Sequence, residues 1–182
     1  MEGMINNLLD FVRMDSSKST RNMHITNIHS FLSSFVERII VDAELLYHKI
    51  ESNIHLPVSL AVKMEPLLVQ RALDNIVNNF YRYTPKGSIL FIDASLINHE
   101  IKLTISDNGN GIHQKDLPYI FDLFYRGSAS RSDQGMGMGL AVTKSIIDSH
   151  GWSISAKNAE TEPDQADSKT GVCFCIIIPE NC

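Results

Sequence analysis

The sequence predicts an α+β fold, a two-layer α/β sandwich in which helices pack on one face of a mixed, mostly antiparallel sheet. Two long segments carry apolar residues at the three-and-four spacing of an amphipathic helix, and a glycine-rich stretch opens a third helix. Shorter segments alternate apolar and polar residues, as half-buried strands do. Residues 89–96 and 101–105 are separated by a turn at Asn98-His99, so we expect them to pair as an antiparallel hairpin.

Composition limits the classes of protein to consider. With 182 residues, 43% of them hydrophobic, the chain can form one domain of ordinary size with a real core, plus an appendage. The net charge of −5 argues against broad nucleic-acid binding, which needs a basic face. No run of about 18 apolar residues predicts a membrane span, and the first residues lack the pattern of a signal peptide. These features favour a globular domain, and they do not exclude a small anionic ligand held by a few local cations.

The cysteines and histidines suggest no metal site. Cys173 and Cys175 lie two apart on a predicted strand, and Cys182 follows, without a CxxC pair or a zinc-ligand spacing. The seven histidines are scattered. We interpret the cysteines as small apolar side chains in a reducing compartment.

The first half of the chain alternates helices and short strands. Residues 1–14 carry a one-sided apolar stripe, and a polar linker follows at 15–19. Asn27 is placed to cap the next helix, which follows a short edge strand. The remaining predicted elements, in order, are an edge strand at 23–25, a helix at 28–47, strands at 49–55 and 58–63, and a helix that begins at Pro66.

The helix after Pro66 carries a polar face. Asn75, Asn79 and Arg82 lie at i, i+4 and i+7, roughly opposite the apolar stripe that runs from Val69 to Phe80. Two carboxamides and a guanidinium on one face could hold a metal ion and a phosphate. A solvated polar face is the alternative interpretation of this helix taken alone.

The strand at 101–105 leads to a carboxylate and two glycines. Counting on in the same phase places Asp107 on the apolar side, where an ionised carboxylate needs a hydrogen-bond partner. Gly109 and Gly111 follow, and they would let a ligand approach the backbone. The segment therefore predicts the floor of a pocket, or, alternatively, a turn that Asp107 caps.

The second half contains a glycine-rich helix start. Gly135, Gly137 and Gly139 precede a helix that ends near His150 and Gly151, and free N–H groups at such a start bind anions. The spacing is not that of a P-loop, and Leu140 stands where a dinucleotide fingerprint has its last glycine. Closing strands are predicted at 153–157 and 172–178, with a polar excursion at 158–171 between them.

Four motifs in order resemble the catalytic ATP-binding domain of bacterial two-component sensor histidine kinases, in the GHKL group with gyrase, Hsp90 and MutL. They are RALDNIVNNFYRYTP at 71–85, DNGNG at 107–111, IFDLFYR at 120–126 and GMGMGL at 135–140, and the segment 171–179 is similar to the last strand of that family. The resemblance covers about residues 20–180. It implies the Bergerat type of two-layer sandwich.

The resemblance also implies a site for ATP and Mg²⁺. Asp107 would accept from the adenine amino group. Asn79 would coordinate magnesium with support from Asn75, and Arg82 would neutralise phosphate charge; these three are the implied catalytic residues. Residues 113–134 would form a lid, with Arg126, Arg131 and Lys144 as further phosphate contacts. The full implied set of ATP-binding residues is Asn75, Asn79, Arg82, Tyr83, Asp107, Gly109, Gly111, Ile112, Phe121, Arg126, Gly135, Gly137, Gly139 and Leu140.

The resemblance further divides the chain and implies its partners. Residues 1–18 are similar to the end of a dimerisation and phosphoacceptor helix plus a linker, and residues 19–182 would be the catalytic domain. No histidine here has the phosphoacceptor's neighbourhood, so we expect γ-phosphoryl transfer to a histidine on a dimerisation domain that is absent from this chain, and then signalling to a response regulator. Hydrolysing relatives carry a glutamate where Asn75 stands, and an amide is a poor general base.

The remaining expectations concern location and alternatives. We expect a cytoplasmic domain that is monomeric by itself, within a longer protein anchored in the bacterial membrane. Phe80 stands where the family usually has alanine and Glu65 where an aspartate is usual. The alternative functions are a non-catalytic regulatory or nucleotide-sensing module of the same fold and a serine-kinase anti-sigma factor.

Overall fold

A computed structural model describes residues 22–127, 137–159 and 171–180. The predicted N-terminal helix and linker at residues 1–18, together with Arg131, Gly135, Cys182 and most of the polar excursion, lie outside these ranges. The described strands are β1 (His24–Asn27), β2 (Lys49–His55), β3 (Ala61–Met64), β4 (Ile89–Ile97), β5 (Glu100–Asp107), β6 (Ser153–Asn158) and β7 (Val172–Pro179). The described α-helices are α1 (Ile28–Leu45), α2 (Pro66–Tyr83) and α3 (Gly139–Ser149).

The main sheet is mixed and mostly antiparallel, as predicted. Its five strands lie in the order β2-β4-β5-β7-β6, and only the β2–β4 pair is parallel. A separate two-stranded sheet pairs β1 with β3. β5, whose last residue is Asp107, is the central strand. Its end is therefore flanked by β4 on one side and β7 on the other.

The predicted β4–β5 hairpin forms through a tight turn. Asn98 and His99 have φ values of 50° and 63°, and Ile97 pairs with Glu100 across the turn. Two consecutive left-handed residues match the right-handed twist of the two strands. This turn sets the register, so that Ile101, Leu103 and Ile105 face the core.

The helices are bounded largely as the sequence predicts. The Asn27 side chain accepts a hydrogen bond from the Ser30 N–H at 2.8 Å and caps α1, and Pro66 begins α2. The apolar stripes of α1, α2 and α3 share one continuous core with alternate residues of β4, β5 and β7. This packing is the predicted two-layer arrangement.

Two predicted boundaries are wrong. Residues 58–60 are not strand, because Pro57 begins a turn that the Leu60 N–H closes on the Pro57 carbonyl at 3.0 Å. Helix α1 ends at Leu45 rather than near Tyr47, which has a φ of 62°. A left-handed residue cannot continue a right-handed helix.

Phe80 does not enter the polar face of α2. Its side chain is only 3% exposed and packs beside the rings of His48, at 4.8 Å, and Tyr81, at 5.4 Å. The unusual residue after Asn79 therefore enlarges the core on the far side of the helix.

The other face of the sheet carries the two described cysteines. Cys173 and Cys175 are half-buried free thiols in β7, opposite Ser106 and Thr104 of β5. Burial raises the pKa of the Cys173 thiol, so it is protonated at neutral pH. Within the described ranges, no helix is long and apolar enough to cross a membrane.

Candidate functional site

Asp107 lies half-buried at the end of the central strand, with one carboxylate oxygen held by the backbone. Its Oδ1 accepts from the Gly109 N–H at 2.7 Å and from the Val172 N–H at 3.4 Å. Burial raises the pKa of Asp107, while the two N–H donors act in the opposite direction and only partly offset it. The turn interpretation is confirmed, because Oδ1 accepts from the Gly109 N–H, and the pocket at this position stays a prediction about a partly desolvated carboxylate.

Two glycines make room around this carboxylate. A Cβ on Gly109 would lie 2.6 Å from Cγ2 of Thr84 and 2.8 Å from Asp107 Oδ1. A Cβ on Gly171 would overlap the backbone carbonyl of Asp107. Sequence reasoning found Gly109 but gave no site role to Gly171 or Thr84. Gly171 directly precedes a strand, and a glycine in or beside a strand often marks a place where another backbone segment approaches closely. This pattern could have indicated that Gly171 contacts the site.

The backbone after the second glycine is fixed by an asparagine from β6. Gly111 has a φ of 70°, which suits glycine, and Ile112 follows with its side chain against the core. The Asn158 side chain accepts from the Ile112 N–H at 2.8 Å and donates to the Ile112 carbonyl at 2.7 Å. Sequence analysis missed Asn158, because nothing local indicates a partner so distant in the chain.

The polar face of α2 is not uniformly solvated. Asn75 is half-buried, and its Nδ2 donates to the Gly139 carbonyl at 3.0 Å, so the solvated-face interpretation is wrong at this position. Asn79 is also half-buried one turn later, whereas Arg82 and Tyr83 are exposed at the end of the helix. The three predicted catalytic residues thus follow one another along α2, from Asn75, which contacts the start of α3, to Arg82, beside the turn that carries Thr84.

The segment between Gly111 and residue 127 folds against β7 and itself. Phe121 packs edge-on to Phe174 with 6.4 Å between ring centroids, and Arg126 is exposed. Asp116 is buried and accepts a hydrogen bond from the Tyr125 hydroxyl at 2.9 Å. Asp116 also went unnoticed in the sequence. It ties the two ends of this short segment together.

The start of α3 returns to the same region. Gly137 has a φ of 67°, and a Cβ there would overlap the Tyr125 carbonyl. The N-cap residue, Met138, supplies no side-chain hydrogen bond to the first turn, and Leu140 packs partly against the core. Lys144, by contrast, pairs with Asp148 at 3.1 Å, toward the end of the helix away from the glycines.

Within the parts of the chain that the structure describes, no group of three or more histidine, cysteine, aspartate or glutamate side chains could hold a metal ion. Side-chain oxygens of asparagine remain as candidate ligands, and hard cations such as Mg²⁺ accept amide oxygens with phosphates and water. Asn79 and Asn75 are the candidate amide ligands on α2.

Comparison with known proteins gives the family. The family described as histidine kinase-, DNA gyrase B-, and HSP90-like ATPase matches residues 64–181. The sensor protein KdpD of Clostridium acetobutylicum is 31% identical over 157 residues, which cover 85% of this chain and 17% of KdpD. The sensor histidine kinase WalK of Bacillus subtilis is 31% identical over 162 residues, which cover 86% of this chain and 26% of WalK. The chain therefore spans about a quarter or less of these relatives.

A solved structure shows the same fold. The catalytic domain of histidine kinase ThkA superposes with a TM-score of 0.72 at 20% identity, covering 88% of this chain and 97% of that one. The family match includes the polar face of α2, Asp107 with its glycines and the start of α3. The chain belongs to the histidine kinase-, DNA gyrase B- and HSP90-like ATPase family, and within it to the ATP-binding catalytic domains of sensor histidine kinases.

Proposed function

We propose that this chain binds Mg²⁺-ATP and transfers the γ-phosphoryl group to a histidine of a dimerisation domain. The half-buried carboxylate of Asp107 carries this proposal. The only hydrogen bonds it accepts from described residues go to Oδ1, so Oδ2 can accept from the amino group of adenine. Gly109 lets the backbone lie close to Asp107 and Thr84, and the proposed adenine site includes Gly111, Tyr83, and Ile112 and Phe121, which pack partly against the core.

The phosphates would extend from this recess toward the start of α3. The uncapped N–H groups after Gly137 and Gly139 suit anionic oxygens. Asn79 supplies an amide oxygen for Mg²⁺, and Arg82 supplies positive charge near the end of α2. Phosphoryl transfer depends mainly on such positioning and charge neutralisation. Arg126, Arg131, Gly135 and Leu140 complete the proposed set, and the ion pair of Lys144 with Asp148 makes Lys144 the weakest member.

The acceptor would be a histidine outside this chain. Asn75 occupies the position of the hydrolytic glutamate, and an amide cannot activate water as a base. Residues 1–18 would be the end of the dimerisation and phosphoacceptor helix with its linker, and residues 19–182 the catalytic domain. The relatives are named as sensor proteins, which supports a response regulator as the final partner. We propose a cytoplasmic, monomeric domain within a membrane-anchored protein.

A phosphotransfer assay tests the proposal. The chain is incubated with γ-labelled ATP, Mg²⁺ and the dimerisation domain of its full-length protein, and the product is treated with acid. A label that is lost in acid and requires Mg²⁺ supports histidine phosphorylation. Nucleotide binding without transfer would contradict catalysis and favour a regulatory module. Transfer to serine, which survives acid, would favour an anti-sigma kinase.

A further inference from the structure

Thr143 forms a buried polar contact between α2 and α3. Its side chain is 0% exposed, and its hydroxyl lies 3.2 Å from the Ala72 carbonyl and 3.0 Å from the Gly139 carbonyl. Nδ2 of Asn75 lies 3.4 Å from the same hydroxyl and 3.0 Å from the Gly139 carbonyl. Four polar contacts therefore converge where the start of α3 crosses α2, and at most three of them can be hydrogen bonds at the same time.

The proton count at this crossing gives each bond a direction. A threonine hydroxyl has one proton, so it donates to one carbonyl at a time. The Gly139 carbonyl already accepts from Asn75, and donation to the Ala72 carbonyl distributes the bonds evenly and joins the two helices. The hydroxyl oxygen is then an acceptor for Nδ2 of Asn75. The Gly139 carbonyl can only accept, so the NH₂ group of Asn75 must face α3, where the Thr143 hydroxyl oxygen is its second acceptor.

This arrangement fixes the orientation of the Asn75 amide. With NH₂ held by Gly139 and Thr143, the carbonyl oxygen Oδ1 faces the other way, and no described residue donates to it. An inverted amide would place Oδ1 against the Gly139 carbonyl, which only accepts, and Thr143 could donate to Oδ1 only by giving up its bond to the Ala72 carbonyl; both changes are unfavourable in a partly buried site. The oxygen is the only atom of this side chain that can coordinate a cation or accept from a bound water.

We propose that Thr143 is a positioning residue of the nucleotide site. Its hydroxyl holds the Asn75 amide with Oδ1 directed to the magnesium–phosphate region, and it docks the first turn of α3 at a set distance from α2. The inference rests on the proposed function and adds to it a residue that touches neither nucleotide nor metal. It also distinguishes two roles on α2: Asn79 coordinates the metal, and Asn75 presents an oxygen that α3 orients.

A purely structural role is the competing explanation. Valine has nearly the shape of threonine, and at a fully buried site on the apolar side of α3 it would fill the same space. Packing alone therefore requires no hydroxyl at this position. The hydroxyl of Thr143 therefore affects nucleotide binding only through the groups to which it hydrogen-bonds, and one of these groups is the Asn75 amide.

Three variants test the proposal. Thr143→Val removes the hydroxyl and keeps the shape, Thr143→Ser keeps the hydroxyl, and Thr104→Val removes a solvent-accessible hydroxyl on the open face of the sheet. Each variant is titrated calorimetrically with Mg²⁺ plus a non-hydrolysable ATP analogue, and separately with adenosine. We expect Thr143→Val to bind the magnesium nucleotide about 3- to 10-fold more weakly, the loss of one to two hydrogen bonds, with adenosine affinity unchanged. Thr143→Ser and Thr104→Val should match the wild type for both ligands.

The pattern across ligands decides the outcome. Equal affinities of Thr143→Val and wild type for the magnesium nucleotide would overturn the proposal. So would an equal loss for both ligands, because it indicates general loosening of the fold. A wild type that binds neither ligand would instead refute the proposed function itself. Thermal unfolding of each variant shows whether the fold is retained.

Discussion

Replacement of Asp107 by asparagine separates the two tasks of its side chain. In the structure, Oδ1 accepts from the N–H groups of Gly109 and Val172, and Oδ2 is the atom proposed to meet adenine. The introduced carboxamide would keep an oxygen at the first position and place an NH₂ group at the second. The turn is therefore preserved, while the proposed adenine contact changes from acceptor–donor to donor–donor.

The expected loss in binding follows from the bond that is removed. A hydrogen bond to a charged group contributes about 1.5–3 kcal/mol, which corresponds to a roughly 10- to 150-fold weaker affinity. Isothermal titration with Mg²⁺-ATP measures this directly. Asp107→Asn binding as tightly as wild type would refute the adenine contact and reduce Asp107 to a turn residue.

The same substitution should not destabilise the fold. Burial raises the pKa of Asp107, so the ionised carboxylate costs folding free energy at neutral pH, and the neutral amide removes this cost. Urea denaturation, followed by fluorescence of the buried Trp152, should show Asp107→Asn at least as stable as wild type at pH 7. Asp107→Ala, which leaves both N–H donors without their acceptor, should lose about 1–3 kcal/mol.

The pH dependence of stability gives an independent check on the direction of the Asp107 pKa shift. A carboxyl with a raised folded-state pKa binds its proton more tightly in the native protein, so wild-type stability rises relative to Asp107→Asn as the pH falls through that pKa. The greater stability of Asp107→Asn over wild type should therefore shrink as the pH falls from 7. It should disappear near the pKa of aspartate in the unfolded chain, about 4. A gap that widens on acidification would contradict the assigned environment of Asp107.

Four further substitutions test other parts of the site and core. Gly109→Ala forces a Cβ against Thr84 and should cost about 1–3 kcal/mol of unfolding free energy, whereas Gly139→Ala, with 3.8 Å to its nearest neighbour, should change it by less than about 0.5 kcal/mol. Asn158→Ala removes both hydrogen bonds that fix the backbone after the second glycine, and urea denaturation should show a loss of about 1–3 kcal/mol. Burial raises the pKa of Tyr81 to about 12, so the native state keeps a proton that the unfolded chain releases. Wild-type stability should therefore fall relative to Tyr81→Phe as the pH rises above about 10, and a constant difference would refute this.

Local pattern was sufficient for most of the elements. Alternation of apolar residues identified the inward phase of β5, and the same counting placed Asp107 on the inward side. Asn27 and Pro66 marked helix starts because capping depends on residues within one turn. The errors at residues 58–60 and at Tyr47 also have local causes, namely a turn and a left-handed residue.

The sequence by itself determined the order of the elements, the inward carboxylate with its glycines and the polar face of α2, because each depends on spacing within a few residues. Only the tertiary structure decided which atoms complete the site. Gly171 and Val172 reach Asp107 across the β5–β7 pairing, Asn158 reaches Ile112, and Thr143 reaches Asn75. Such contacts depend on strand register and helix packing, and the periodicity of one segment cannot specify the position of another segment far along the chain.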